Sequence, residues 1–257
     1  MARRTRATEG IAPPLPFLLP ESPPEPAVPA PGPALPAFAL GGIDEAGRGP
    51  VLGPLVVAGV AVTNPGLPKR LGCTDSKKLT PDRRSALDRA LRAEKGVRIE
   101  VRIVPADVLD AERRQGRSLN DIELERFRDI ARCLDARRLY VDAADVDAQR
   151  FGAGIQWAVP NTQVLSQHKA DLHHAVVGAA SIVAKVARDA EVAKLGRLLE
   201  RKVNRPLGSG YSHDPLTQEF LRAWWEQERE LPPGTRTTWA TATQLMAPKP
   251  VALDTFL

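Results

Sequence analysis

Only two cysteines, Cys73 and Cys133, occur among the 257 residues of this sequence. Two cysteines cannot build a disulfide framework, and their spacing matches no zinc-binding motif. We therefore expect reduced thiols and a cytoplasmic protein. Tyrosine is equally scarce, with two residues in the whole chain. A tyrosine that falls in a polar loop is therefore a candidate for a working surface group.

The sequence also lacks an apolar run long enough to cross a membrane, so we expect no membrane association. A basic start followed by apolar residues faintly imitates a signal peptide. Pro13, Pro14 and Pro16 would break the helix that such a peptide needs. We therefore predict that this stretch does not act as a signal peptide.

Positive charge is in surplus, with a net charge of +5 and a pI near 9.5. Residues 1–37 contain three arginines and three acidic residues, so the surplus belongs to the rest of the chain. A basic globular part favours an anionic partner such as a nucleic acid. A chain of this length can bury one good core, with a small appended domain.

Almost half of the 24 prolines lie within residues 12–37, mixed with alanine, leucine and glutamate. This composition predicts that residues 1–37 form an extended, disordered arm. A docking role for the arm stays open, although a plain disordered arm is the more common use of such a composition.

From residue 38 onward, strand patterns alternate with helix patterns. Apolar or alternating runs predict strands at residues 40–44, 55–62, 97–103, 138–142 and 163–166. Capping residues and helical spacing predict helices between Thr80 and Gly96 and at residues 120–134, 173–202 and 215–228. The alternation indicates an α/β layered core with a helical C-terminal part.

Asp44 and Glu45 stand side by side at the end of the first predicted strand, directly before the glycine-rich turn that contains Gly47 and Gly49. Two adjacent carboxylates repel each other, and a divalent cation is the usual compensation because hard cations bind carboxylate oxygens. Glycines allow the strand to bend and the backbone to approach a ligand. The alternative for a bare Asp-Glu pair is a solvated turn.

Two further acids occupy comparable places. Asp142 ends a predicted strand, and Asp171 immediately precedes a predicted helix. Carboxylates at such positions can converge on one edge of a sheet and bind two divalent ions, Mg²⁺ or Mn²⁺. Taken singly, Asp142 could be a turn or capping residue with Asp145 and Asp147 as competing acids, and Asp171 could cap the following helix.

Seven sequence blocks decide between these interpretations. They are Gly42-Ile43-Asp44-Glu45-Ala46-Gly47-Arg48-Gly49-Pro50, Asp75-Ser76-Lys77-Lys78-Leu79-Thr80, Leu119-Asn120, Tyr140-Val141-Asp142-Ala143-Ala144-Asp145, His168-Lys169-Ala170-Asp171, Ala179-Ala180-Ser181-Ile182-Val183-Ala184-Lys185-Val186 and Gly208-Ser209-Gly210-Tyr211. In content and order they resemble the signature of the ribonuclease HII family, over residues 40–239.

The resemblance implies an α/β fold with an RNase H-like mixed sheet flanked by helices and a small C-terminal helical domain. We place the catalytic core at residues 38–200, the helical substrate-binding part at 201–246 and a flexible tail at 247–257. The family's four metal-binding acids correspond to Asp44, Glu45, Asp142 and Asp171. A two-metal site for Mg²⁺ or Mn²⁺ follows from this correspondence.

The same resemblance assigns substrate contacts. Gly47, Arg48 and Gly49 match the element that reads a ribonucleotide, with Arg48 on a phosphate. Tyr211 matches the residue that stacks on the sugar and hydrogen-bonds the 2′-hydroxyl, and Lys77 lies in a loop suited to phosphate contacts. The alternatives are an ordinary tight turn, a packing tyrosine and a solvated lysine.

The resemblance implies a metal-dependent endoribonuclease that cuts the RNA strand of RNA–DNA hybrids and cuts at single ribonucleotides embedded in duplex DNA. Cleavage would fall on the 5′ side of a ribonucleotide and leave 3′-hydroxyl and 5′-phosphate ends. Rival interpretations are the related type 3 enzymes, which lack the Gly-Arg-Gly-Pro turn, a DNA-directed nuclease or resolvase, and a hybrid-binding protein without catalysis. We expect a monomer.

The tail at residues 251–257 carries Leu253 followed by Phe256 and Leu257. This spacing lets one helical turn place apolar anchors in a pocket, and it resembles the peptide with which some archaeal-type family members bind a DNA sliding clamp. The match is imperfect, because Pro250 replaces the usual glutamine. A bland apolar terminus is the alternative.

Overall fold

The structure, a computed structural model, describes residues 38–73 and 76–246, without the side chains of residues 77, 245 and 246. The expectations for the arm at residues 1–37 and for the tail at 247–257 therefore lie outside the described residues. Among the described helices, none combines the length and the apolar character needed to cross a membrane.

Five strands form one mixed sheet in the described part of the chain, in the order β3-β2-β1-β4-β5. The antiparallel pairs are β1 with β2 and β2 with β3, whereas β4 runs parallel to both β1 and β5. The strands are β1 (Phe38–Ala46), β2 (Leu55–Val62), β3 (Val97–Val104), β4 (Ala136–Asp142) and β5 (Gln163–Gln167).

Helices cover both faces of this sheet. They are α1 (Leu67–Leu71), α2 (Pro81–Ala93), α3 (Ala106–Arg114), α4 (Leu119–Leu134), α5 (Ala148–Ala158), α6 (Ala170–His173), α7 (Ala175–Val203), α8 (Pro215–Glu228) and α9 (Ala240–Met246), with a short 3₁₀ turn at Ser76–Lys78. The expected mixed sheet flanked by helices is confirmed.

Strand β2 shows how the sheet separates two cores. All eight of its residues are buried. Alternate residues point to opposite faces of a strand. Val56 accordingly packs with α2 and the start of α7, whereas its neighbour Val57 packs with α4 and α5. Burial on both faces explains the continuous apolar run that predicted this strand.

Helix α7 approaches β1 very closely. A Cβ atom added to Gly42 would lie 2.6 Å from backbone atoms of Val176 and Val177. Small residues at the start of α7, including Ala179 and Ala180, are fully buried at this contact. The close approach brings side chains of α7 next to the carboxyl end of β1.

A third apolar cluster joins the second half of α7 to the C-terminal helices. It contains Leu199 from α7, Phe220 and Trp224 from α8, and Leu52 from the loop after β1. Helix α7 continues to Val203, past the boundary that we placed at residue 200. The division into a core and a C-terminal part stays a prediction.

Candidate active site

Three carboxylates meet at one edge of the sheet. Ligand oxygens of Asp44, Asp142 and Asp171 all lie within 4.8 Å of one another. Strands β1 and β4 are parallel neighbours in which Ile43 pairs with Val141, so the next residues, Asp44 and Asp142, emerge side by side. These three acids, which the sequence predicted to converge, therefore form one cluster.

Asp171 reaches the cluster from α6. The sequence placed it before a helix, but it lies inside this short helix, whose N-cap is Lys169. It does not cap the following helix either, because the N-cap of α7 is His174. Its Oδ1 atom is buried without a hydrogen-bond partner, whereas Asp142 Oδ1 accepts a 3.3 Å bond from the backbone N–H of Ala170.

Glu45 stands apart from the closest group because neighbouring strand residues face opposite sides of a sheet. It nevertheless lines the same cleft, and its Oε2 atom is buried without a hydrogen-bond partner. Burial, followed by the charge of Asp142, raises the pKa of Glu45 to about 7. An ionised Glu45 therefore lacks a sufficient countercharge within the protein.

Asp44 is under similar strain. Burial raises its pKa well above the ordinary value, and the charge of Glu45 raises the pKa further, against the lowering effect of Lys185. Clustered, buried carboxylate oxygens with unsatisfied acceptors are the donor set that a hard divalent cation prefers. The four acids thus fit a divalent-metal site.

A hydrogen-bonded group on α7 supports Asp44. Lys185 Nζ donates a 2.6 Å bond to Ser181 Oγ, which lies 2.9 Å from Ser76 Oγ, and both serines are fully buried. Ser181 also hydrogen-bonds Asp44, so the sequence block that contains Ser76 and Lys77 is connected to the carboxylates through the two serines. The side chain of Lys77 lies outside the described part, so its phosphate contact stays a prediction.

The competing acids have other partners. Asp145 forms an ion pair with Arg150 at 2.6 Å. Asp147 is the N-cap of α5 and accepts a 2.9 Å bond from the backbone N–H of Arg150. Both acids organise the loop after β4, whereas Asp142 faces the cluster.

In the turn after Glu45, the side chain of Arg48 binds other residues of the protein. The guanidinium of Arg48 pairs with the fully buried Glu123 of α4 and donates a 2.6 Å bond to Asn120. Gly47 adopts a left-handed φ of +87°, and Gly49 is exposed. The turn is therefore tied to α4, and the predicted contact of Arg48 with phosphate remains a prediction.

Arg236 fixes the backbone of the same turn. Its side chain is fully buried and donates to the carbonyl oxygens of Gly47 at 2.6 Å, Arg48 at 3.1 Å and Gly53 at 2.9 Å. Burial lowers its pKa to about 9, so it remains a cation at neutral pH. Three carbonyl groups and the ring of Trp239, 4.9 Å away, stabilise this charge.

The acids and the turn line one cleft of about 470 Å³, and Tyr211 lies in the same lining. Tyr211 is half-buried and follows the loop Gly208–Gly210. The sequence did not predict a role for several residues around the cleft, namely Ser181, Lys185, Arg188 and Arg236. It also did not predict one for Glu123, which pairs with Arg48. Ser181 and Lys185 were within a quoted block, so the block itself was the available signal.

The raised pKa of Glu45 predicts a pH dependence of stability. Above an unfolded-state pKa of about 4.5 the unfolded chain releases this proton, whereas the folded protein retains it up to about pH 7. Stability from this group is present at low pH and falls as pH rises through that window, by at most about 1.4 kcal/mol per pH unit. We expect Glu45→Gln to flatten the fall in the free energy of unfolding of metal-free protein.

Urea unfolding in the presence of a chelator measures this effect between about pH 5 and pH 7. Glu125→Gln is the matched control, because hydrogen bonding by Arg117 lowers the pKa of Glu125 and gives it the opposite sign. Equal pH slopes for the wild type and Glu45→Gln would show that Glu45 is not under the inferred strain.

Comparisons with known proteins show which family this chain resembles along most of its length. Residues 41–242 match the family model described as Ribonuclease HII. A relative named Ribonuclease HII from Methanothrix thermoacetophila is 40% identical over 211 residues, which cover 80% of this chain and 96% of the relative.

Two solved structures are also similar. The ribonuclease H2 of Pyrococcus horikoshii is 37% identical with a TM-score of 0.71, over 80% of this chain and 96% of that protein. The RNase HII in the PCNA:RNase HII complex from Archaeoglobus fulgidus is 39% identical with a TM-score of 0.72, over 84% of this chain and the whole of that one.

Proposed function

The chain belongs to the ribonuclease HII family, and from that premise we propose that its acidic cleft cuts duplexes on the 5′ side of a ribonucleotide. Members of this family are endonucleases that hydrolyse phosphodiester bonds in RNA paired with DNA. The finer proposal is that a single ribonucleotide embedded in duplex DNA is also a substrate, and that the ends are a 3′-hydroxyl and a 5′-phosphate. The observation that supports cleavage at this cleft is the clustering of Asp44, Asp142 and Asp171 beside the turn at Gly47.

Asp44, Glu45, Asp142 and Asp171 would hold the divalent metal, with Mg²⁺ or Mn²⁺ suited to an all-oxygen donor set. Bound ions supply activation of the attacking water and stabilisation of the leaving 3′ oxygen. Burial raises the pKa of Asp44, and the positive charge of Lys185 opposes part of that rise and so favours the ionised, ligating form. Asp44 and Asp171 are buried, and low exposure to water strengthens the attraction between a carboxylate and a cation.

Gly47, Arg48 and Gly49 would recognise the ribonucleotide from one side of the cleft, with Tyr211 on the sugar and Lys77 on a phosphate. The 2′-hydroxyl is the group that distinguishes RNA from DNA at a given position. The turn is held by Arg236 and Glu123 before substrate arrives, so its backbone groups are already oriented. Such preorganisation favours selective recognition over loose binding.

Matched duplexes test the proposal. We expect cleavage of a uniform RNA–DNA hybrid and of a DNA duplex with one ribonucleotide, each only with Mg²⁺ or Mn²⁺, and none of the all-DNA duplex. A phosphatase-sensitive 5′ end on the downstream product would support the end chemistry. Equal cleavage of the all-DNA duplex would indicate a DNA-directed nuclease, and hybrid binding without cleavage at any metal concentration would indicate a binding protein.

A sliding clamp is the proposed protein partner. The A. fulgidus relative has been solved in a complex with PCNA, and the apolar spacing of Leu253, Phe256 and Leu257 suits a pocket-binding helical turn. These residues lie outside the described part of the structure, so the proposal rests on the sequence and on that relative.

Changing Phe256 and Leu257 together to alanine is expected to abolish binding to the clamp of the same organism and to leave cleavage of a short duplex unchanged. Surface plasmon resonance with immobilised clamp measures the first effect, and a gel assay measures the second. Thr255→Ala is the matched control, because it alters the same segment without removing an anchor. Equally weak clamp binding by all three proteins would eliminate the docking role.

A further inference from the structure

Arg188 is a buried arginine of α7 to which neither the sequence motifs nor the proposed chemistry assigns a role. It is 4% exposed, lines the cleft, and makes no ion pair among the described residues. Its Nε atom is buried without a hydrogen-bond partner. Burying a cation with so few partners costs free energy, so the position of Arg188 must be explained by its local contacts.

The contacts of Arg188 point to the loop that carries Tyr211. Its guanidinium carbon lies 4.9 Å from the centre of the Tyr211 ring, within the range of a cation–π interaction. Its Nη2 atom donates a 2.9 Å bond to the carbonyl oxygen of Ser209, two residues before Tyr211. The arginine therefore holds both the ring and the backbone of this loop.

Arg188 also fills the space beside the turn on the other side of the cleft. A Cβ atom at Gly47 would lie 2.6 Å from Cδ and Nε of Arg188, and one at Gly210 would lie 3.2 Å from Nη2. Two glycines thus leave room for one arginine between the turn and the Tyr211 loop. The side chain therefore contacts both the Gly47 turn and the Tyr211 loop.

We propose that Arg188 is a positioning residue that orients Tyr211 against the Gly47 turn and thereby supports cleavage at a single embedded ribonucleotide more than cleavage of a uniform hybrid. This inference rests on the proposed function. A single ribonucleotide offers one 2′-hydroxyl, so recognition there depends on a correctly placed tyrosine. A uniform hybrid offers many such groups and tolerates a misplaced one.

A double-mutant cycle tests the proposal with four proteins: wild type, Arg188→Met, Tyr211→Ala and the double variant. For each, kcat and KM are measured on the single-ribonucleotide duplex and on the uniform hybrid with Mg²⁺. We expect Arg188→Met to lower kcat/KM on the single-ribonucleotide duplex by about tenfold or more, the scale of a desolvated cation–π contact, and to have a much smaller effect on the hybrid.

In the Tyr211→Ala background, the same Arg188→Met change is expected to alter the ratio of the two kcat/KM values by less than about twofold, because the group through which it acts is gone. An equal loss in both backgrounds would overturn the proposal and indicate a direct phosphate contact or a general structural role. Arg188→Lys, which keeps the charge but not the planar stack, is expected to restore part of the selectivity.

Arg84→Met is the control for loss of a cleft cation. Arg84 lines the same cleft but bonds to the carbonyl of Leu79 and to Asp189 rather than to the Tyr211 loop. Its substitution is expected to leave the substrate ratio unchanged, and an equal shift would overturn the assignment to Arg188. If the wild type cuts neither substrate, the proposed function fails; if it cuts both and the cycle is additive, only this inference fails.

Discussion

Asp44→Asn is expected to lower the cleavage rate of an RNA–DNA hybrid by about a thousandfold or more. In metal-assisted phosphodiester hydrolysis the metal stabilises the transition state by several kcal/mol, and each 1.4 kcal/mol of activation free energy changes the rate about tenfold. Asp44 is buried and lies in the cluster with Asp142 and Asp171, so neutralising it removes one of the clustered ligands. Single-turnover assays at saturating Mg²⁺ measure the loss.

The folded state should survive this change. Burial raises the pKa of Asp44, so an ionised carboxylate there is unfavourable without metal, and the variant is expected to unfold at the same or a higher urea concentration. Hybrid binding in the absence of metal should persist, because repulsion between carboxylate and phosphate decreases. Near-wild-type cleavage would remove Asp44 from the site.

Asp145→Asn is the matched control for Asp44→Asn. Asp145 is 7% exposed and Asp44 5%, so the two acids are buried to a similar degree. Asp145, however, pairs with Arg150 rather than with the cluster. Its substitution is expected to cost stability in the loop after β4 while cleavage continues.

Gly47→Ala is expected to reduce cleavage by about a hundredfold, the scale on which a displacement of about 1 Å acts. An alanine at a left-handed φ costs about 1–2 kcal/mol. The added Cβ would also lie 2.6 Å from Arg188 and from the carbonyl oxygen of Pro54. The turn must therefore shift, and with it the backbone that we propose to face the ribonucleotide.

Gly116→Ala separates the effect of backbone strain from the effect of the Cβ clash. Gly116 has a φ of +86°, close to that of Gly47, but no atom lies within 4 Å of its added Cβ. Both variants should lose stability through the backbone, whereas only Gly47→Ala should lose cleavage. Wild-type activity in Gly47→Ala would mean that the turn does not take part in recognition.

The bounds of strands β2 and β3 and of helix α8 were predicted closely from the sequence. The apolar run of β2 and the alternation of β3 gave their bounds to within one residue, because a strand buried on both faces is continuously apolar and alternation of apolar and polar residues also marks a strand. The convergence of Asp44 and Asp142 followed from their places at strand ends. Its geometric cause, the parallel pairing of Ile43 with Val141, could not be read from either strand alone.

Helix α5 was missed because two glycines interrupt it. Glycine lowers helix propensity by about 1 kcal/mol, so the pattern did not indicate a helix. Gly152 is nonetheless required, because a Cβ there would lie 2.8 Å from the side chain of Ser166 on β5. Packing against the sheet therefore overrode local propensity.

The buried arginines could not have been predicted. An arginine in a polar stretch ordinarily indicates a solvated side chain. Arg188 is buried because the distant Tyr211 loop brings a carbonyl group and an aromatic ring to it. Arg236 is buried because the distant Gly47 turn and Gly53 bring carbonyl groups to it, and among its partners Trp239 alone is close in sequence.

The three hydrogen bonds from Arg236 also constrain when, during synthesis and folding, the Gly47 turn can reach its final conformation. They join residues separated by 183 to 189 positions, and Leu52 forms an isolated β-bridge with Thr235 at the same place. The entropy of closing a loop grows only slowly with its length, but the closure must wait for both ends. A ribosome makes the Gly47 turn long before it makes Arg236. The ribonucleotide recognition that we propose for this turn should therefore appear late in synthesis, because a nascent chain with its acids already assembled still lacks the Arg236 bonds that fix the turn.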